Sequence, residues 1–239
     1  MDRRQVLTSL LAAVTAAMTP PSFAQKWAGK QYRFVVGYPA GGVVDFAART
    51  IAEGLNQETG ATFIVENKAG AASNIACEFV ARQPGDSGVF GVFANSTLTT
   101  NPFVPQLSSK SVDPLKDLKP VAAFADMILV LAVTEQLGVK TLDEFLARAK
   151  SSPTPLRVGL AGIGSPHHLA ALLLERSAQL NLNMVPYKGG APMIADAAGG
   201  HLDAVFTTIP VGGGMVASGK LRWIAIAQPK TVPSLPGVP

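Results

Sequence analysis

The chain of 239 residues has a single cysteine, Cys77. An internal disulfide is therefore impossible, and the surrounding "NIACEFVA" has the helical spacing of a buried face, which makes the thiol a core side chain rather than a nucleophile. Aromatic residues make up only 7% and charged residues only 15%. Lysine and arginine are not clustered, and the net charge of +4 is mild. A nucleic-acid surface would need a basic stripe with interleaved aromatics, so that class is set aside. After the first 25 residues no apolar run is long enough to cross a bilayer. What is abundant is aliphatic: hydrophobic residues reach 48%, which suits a compact α/β protein and argues against disorder.

The first residues are of a different kind. Arg3 and Arg4 precede the apolar "VLTSLLAAVTAAM", and "SFA" ends at Ala24 with small residues. This is the pattern of an export signal with cleavage after Ala24. "RRQVL" has the paired arginines of a twin-arginine signal without its full pattern. Loss of residues 1–24 removes Asp2, Arg3 and Arg4, taking the net charge from +4 to +3. The expected location is the periplasm.

Strand and helix patterns alternate through the rest. Tyr32 to Gly37 reads as a strand, and apolar residues from Val44 recur with helical spacing. "TFIVE" is a second strand, a helix follows from Asn74 to Arg82 with Ser73 as its N-cap, and "VFGVFA" is a third strand. Residues 95–119 read as loop. "PVAAFADMILVLAVTE" reads as two nearly continuous strands, and "TLDE" at 141–144 as a capping box. The grammar then repeats: "LRVGLA", the turn "GIGS", a helix from "PHHLAALLLE", the strand "NMVPY", a short helix in "MIADAAGG", and strands "LDAVFT" and "LRWIAIA" around a glycine-rich turn. The expected division is a first lobe at 25–123, a second at 124–230, and the start of a return toward the first at 231–239. Since "SLPGVP" is poor material for a domain end, the chain reads as C-terminally incomplete.

Two stretches invite chemistry. In "VVGYPAGGVVDFAART" a strand meets Pro39, Ala40, Gly41 and Gly42 and then a helix. Glu66 ends the next strand, where a ribose-binding acid would stand in a dinucleotide site. But Pro39 occupies the tight turn and no third glycine opens the helix. No Gly-Lys-Ser/Thr makes a phosphate loop, and no serine sits between the glycines as a nucleophile elbow. The turn is then either a plain sharp turn or a backbone site for an anion at a helix N-terminus. Asp45 would stabilise the first helical turn or meet a ligand amine. In "AGIGSPHH", Ser165 is placed as an N-cap and Pro166 at the first helical position. His167 and His168 are adjacent, so they diverge on a helix, and no carboxylate or cysteine completes a metal set. They read as polar lining or support.

"VVGYPAGGVVDFAARTIAEGL", "FIVENKAGAASNIACEFVAR", "NSTLTTNPF", "VGLAGIGSPHHLAALLLE", "VPYKGGAPMIADAAGGHLDAVF" and "SGKLRWIAIA" follow one another in this order. Together they resemble the substrate-binding proteins of tripartite tricarboxylate transporters, the Bug family, over nearly all of the chain beyond the signal. The resemblance implies a two-lobed periplasmic-binding-protein-like fold (type II), α/β, each lobe a mostly parallel sheet flanked by helices. It implies a monomeric receptor, not an enzyme, without cofactor or metal. Its partners would be a small carboxylate (an amino acid, an aromatic acid, or a di- or tricarboxylate) and the membrane permease subunits of a tripartite transporter. An exported sensor for a signalling partner is the alternative, and a nucleotide-dependent oxidoreductase the more distant one. The ligand-binding positions it implies are Tyr38, Pro39, Ala40, Gly41, Gly42 and Asp45 in the first loop, and Asn95, Ser96 and Thr97 after the third strand. In the second lobe they are Gly162, Gly164, Ser165 and His168, then Tyr187, Lys188 and Gly189, with Thr207 and Thr208 near the cleft. The chain departs from the family pattern at Gly37-Tyr38, which replaces Pro-Phe, at "FTTIP", which stands where Phe-Asp-Asn is common, at "DSG" for Asp-Gly-Tyr, and at Cys77 for glycine. These departures bear on the ligand rather than on the fold.

Overall fold

The computed structural model describes residues 27–109 and 111–239, so the expected export signal lies outside the described residues. Two separate sheets organise the chain. The first begins with β1 (Gln31–Val36), where Phe34, Val35 and Val36 are buried in succession. Such an uninterrupted apolar run suits a strand covered on both faces. The chain then turns through 37–42 into α1 (Val43–Thr59), whose Val44, Ala48 and Ala52 sit four apart and seat it on the sheet. Gly60, left-handed at φ 67°, donates its N–H to the Asn56 carbonyl and ends the helix. β2 (Thr62–Asn67), α2 (Asn74–Ala81) and β3 (Val89–Val92) complete this unit, in the all-parallel order β2-β1-β3.

Ser73 occupies the N-cap position of α2 without capping it. It is left-handed at φ 76°, and its hydroxyl donates to the Gly37 carbonyl at 3.1 Å. A tertiary partner has displaced the local one. The same packing accounts for Gly37, since a Cβ there would stand 2.5 Å from that of Ser73.

The expected loop at 95–119 contains two one-turn helices, α3 (Ser96–Thr99) and α4 (Pro114–Asp117). Of the two strands expected in 120–135, only β4 (Val130–Thr134) forms. Residues 120–128 cross from one sheet to the other and pair with neither, 121–126 are exposed, and Leu129 accepts the Ala227 N–H at 2.8 Å where β4 begins. Apolar character there reflects the crossing, not ladder pairing.

The second sheet is larger. α5 (Leu142–Ser151) starts on the expected capping box: Thr141 accepts the Glu144 N–H at 3.2 Å, and Glu144 accepts the Lys140 N–H at 2.6 Å. Then come β5 (Leu156–Leu160), α6 (Pro166–Ala178), β6 (Leu182–Pro186), α7 (Gly190–Ala198), β7 (Ala204–Thr207), α8 (Ile209–Ala217) and β8 (Leu221–Ile226). The order is β6-β5-β7-β4-β8, with β5, β6 and β7 parallel and β4 antiparallel to both of its neighbours. One face buries Phe145, Leu160 and Ala171, and the other Met193, Leu202 and Val205. Val232 and Leu235 pack on Val130 and Ile226 of this same sheet.

The glycine-rich stretch expected as a turn is the helix α8. Pro210 stands in its first turn, and of its glycines Gly212 follows from packing, while Gly213 and Gly214 face open space. A Cβ on Gly212 would come within 2.5 Å of the Trp223 ring and 2.9 Å of the Thr207 methyl. Close approach to the sheet overrides the low helix propensity of glycine.

Candidate functional site

Both lobes present the carboxyl ends of their parallel strands to one cavity, and at each end a helix begins. β1 leads to Gly42, Val43 and Val44 at the start of α1, and β5 to Ala161, then Ser165, Pro166 and His167 at the start of α6. Gly190, the first residue of α7, and Thr208, the N-cap of α8, also line it. Four helix N-termini therefore converge. Each carries orphan N–H donors and the positive end of its dipole, a setting for an anion. Open α/β sheets place ligands at this end of their strands.

In the first lobe the glycine turn is held from below by Asp45. One carboxylate oxygen accepts the Gly41 N–H at 2.9 Å and the Arg49 Nε–H at 3.0 Å, and the other accepts the Asn67 amide at 2.9 Å. Asn67 also donates to the Tyr38 carbonyl at 3.0 Å. Burial alone would raise the Asp45 pKa, but the hydrogen bonds from Arg49, Gly41 and Asn67 outweigh it and hold the carboxyl below its ordinary value. Asp45 is only 3% exposed, and its acceptors are engaged. It fixes the turn and leaves no lone pair directed at a ligand amine. The Gly41 N–H is likewise committed; the donors facing the cavity come from the start of α1.

In the second lobe the two histidines divide their work. Ser165 accepts the His168 N–H at 3.3 Å and donates to the Gly162 carbonyl at 2.6 Å. The His168 ring reaches back and accepts the Gly164 N–H at Nδ1, 3.1 Å away. This is a capping box with histidine in the place of glutamate, one residue further back. His167 does not cap. It is buried, lines the cavity, and has no partner at Nδ1. Burial pushes its pKa down to about 4, so the ring is neutral at pH 7. The Thr207 and Thr208 hydroxyls are equally buried, line the same cavity and also lack partners. Buried polar atoms are rarely left unpaired, because each orphan costs about 1–3 kcal/mol. Three of them around one cavity mark where a ligand's polar atoms fit.

The remaining lining is Tyr38, with its phenol, and the apolar Val43, Val44 and Ala94 from the first lobe, Met127 from the crossing segment, and Val211 from α8. Among the described residues, no charged side chain lines this cavity. The free space is about 20 Å³, room for roughly one water. The lobes meet around it. A Cβ on Gly189 would press the Pro39 ring at 2.8 Å, one on Gly41 would touch Ala191 at 3.5 Å, and one on Gly164 would overlap Leu107. The arrangement is a closed cleft, and a ligand of several carbons enters only if the lobes part.

Of the positions expected from sequence, Tyr38, Gly42, Ser165, Thr207 and Thr208 line the cavity. Pro39, Gly41, Gly164 and Gly189 lie at the contact between lobes, and Ala40 is exposed beside them. Asn95 is exposed, whereas Ser96 and Thr97 are buried one turn beyond Ala94, the Thr97 hydroxyl again without a partner. Gly162, at φ 122°, shapes the second turn. The Tyr187 hydroxyl donates to Asp196 within its own lobe; burial and that carboxylate raise its pKa to about 12. Lys188 is exposed. The ligand-binding positions implied by the resemblance include His168 but not His167, although a signal existed. Once Ser165 is the N-cap, the third residue on, His168, is the one that can fold back, leaving its neighbour uncommitted. Glu66 is paired with Lys68 at 2.6 Å and Arg33 at 3.5 Å.

A family profile described as the tripartite tricarboxylate transporter family receptor matches residues 47–239. BugT of Bordetella pertussis is 30% identical over 238 residues, which span 98% of this chain and 73% of BugT. The R. palustris protein Rpa4515, solved with adipate, superposes with a TM-score of 0.84 at 31% identity, covering 89% of this chain and 71% of that one. MatC (Rpa3494) from Rhodopseudomonas palustris, solved with bound malate, superposes at 0.75 with 28% identity, over 88% and 71% of the two chains.

Proposed function

The chain belongs to the tripartite tricarboxylate transporter receptor family, a family of periplasmic solute-binding proteins, and on that premise we propose that it captures a small carboxylate between its lobes for delivery to the membrane permease of such a transporter. One observation carries the reading: the unpartnered His167, Thr207 and Thr208 face a closed cavity ringed by four helix N-termini. A carboxylate offers about four lone-pair sites, which the two hydroxyls, an imidazole N–H and backbone N–H groups would fill. The adipate and malate held by the two solved neighbours support the ligand class. The cavity pairs no activated nucleophile with a base, so binding and release, not turnover, is the activity proposed. Export to the periplasm by residues 1–24 belongs to the same reading.

The experiment is a thermal-unfolding screen against small carboxylic acids. A true ligand at 100 times its Kd should add about 2.7 kcal/mol of stability. The reading is abandoned if no carboxylate raises the transition while the protein is shown to be folded.

A further inference from the structure

We infer that this cavity takes an amine-free carboxylate with a hydrocarbon body and rejects the amino acid built on the same skeleton. The inference rests on the carboxylate reading above and concerns which carboxylates qualify.

An α-amino acid brings an ammonium group within two bonds of its carboxylate carbon. Wherever the carboxylate finds its donors, that ammonium must lie in the same cavity. The ends facing it are those of α1, α6, α7 and α8, all N-termini and all positive. No Asp or Glu lines the cavity among the described residues. Asp45, which follows the lining residue Val44 in the chain, is occupied by Gly41, Arg49 and Asn67. Freeing it would leave the Arg49 and Asn67 donors without their partner and undo the turn that closes on Gly189 and Ala191. The Ser165 hydroxyl is engaged as both donor and acceptor. Only neutral lone pairs, on Thr207, Thr208, His167 and the Tyr38 phenol, remain, and the carboxylate needs the first three groups as donors.

The walls add a second reason. Val43, Val44, Ala94, Met127 and Val211 offer an ammonium no acceptor side chain. A charge buried there without a partner would carry its desolvation cost uncompensated. A hydrocarbon body gains from the same walls.

The test is calorimetric binding of two matched pairs to the full chain: hexanoate against norleucine, and adipate against 2-aminoadipate. The amine-free member of each pair that binds should be tighter by at least about 100-fold, or 2.7 kcal/mol. Equal or tighter binding of either amino acid would overturn this inference and leave the carboxylate reading intact. Failure of all four probes to bind at millimolar concentration, with the protein shown to be folded, would overturn this inference, while the carboxylate reading stands or falls by the thermal screen.

Discussion

The first lobe is a three-stranded, all-parallel sheet, and the second a five-stranded mixed one. They differ more in how their faces are covered. In the second lobe both faces bury a cluster, one around Phe145 and Leu160 and the other around Met193 and Val205. In the first, one cluster under α1 holds most of the buried apolar surface, with Phe34 and Phe63 packed ring to ring at 5.1 Å. On its opposite side Ile64 and Ile75 stay 41% and 51% exposed. The cavity reflects the same inequality. The second lobe supplies the unpartnered hydroxyls and imidazole and three of the four helix ends; the first supplies an apolar wall and one helix end. A rigid half that anchors charge and a lighter half that covers it is a division suited to closure by domain motion.

The largest effect expected from this difference is on core truncation. Phe145 is fully buried in the cluster between α5 and the sheet, and Phe145→Ala should cost about 3–5 kcal/mol. Phe90, half-buried against Tyr32 and Phe34, should cost roughly half that on truncation to alanine. Native-state hydrogen exchange can separate the lobes. In the parent protein the amides of β5 and β7 should exchange more slowly than those of β1 and β2. In the Phe145→Ala variant that ranking should reverse. Uniform protection across both sheets in the parent would show that the lobes unfold as one unit.

A smaller effect, confined to the second lobe, follows from His167. Its folded-state pKa of about 4 lies below the ordinary 6.5 because the ring is buried. As pH falls, the unfolded chain takes the proton first. The contribution is therefore fully present above pH 6.5 and is lost between there and pH 4, up to roughly 3 kcal/mol. His168 shifts in the same direction, also by burial, so the reading must come from a difference. Denaturant unfolding of the parent and of His167→Leu, compared at pH 7 and pH 4, should show a shallower decline in the variant. Parallel declines would mean that His167 is not the titrating group.

What the sequence alone showed of this division was uneven, for physical reasons. The strand–glycine–helix units around Gly41 and Gly164 were legible because hydrophobic period and turn chemistry are local. The export of Ser73 to a tertiary bond with Gly37, and the helix α8 (Ile209–Ala217), were not. In both, a packing contact outside the element overrides local preference, from Gly37 for Ser73 and from Trp223 for Gly212. The site divided in the same way. Thr207 and Thr208 entered through the family resemblance, as residues near the cleft. His167 was not singled out, because what frees it is the bond between His168 and Gly164, a matter of geometry. Asp45 was legible as a residue of the first helical turn, but its three partners include Asn67, from the next strand.

The smallest effect separates stability from function most cleanly. Thr208 is 3% exposed, and its hydroxyl finds no partner among the described residues, although its N-cap position would let a serine or threonine bond the helix. An orphan of this kind lowers stability, because the hydroxyl gave up water on burial and received nothing in exchange. Thr208→Val keeps the shape of the side chain and removes the orphan. The ligand-free variant should therefore be more stable than the parent by about 1 kcal/mol. The same hydroxyl is assigned to a ligand carboxylate, so the stabilisation that a carboxylate confers should shrink. Thr134→Val is the control, since the Thr134 hydroxyl already donates to the Asp203 carbonyl at 3.3 Å away from the cavity. That variant should lose stability and leave the ligand response untouched. If Thr208→Val behaves as the control does, Thr208 belongs to the framework of its lobe and the polar end of the cavity must be redrawn around His167 and Thr207.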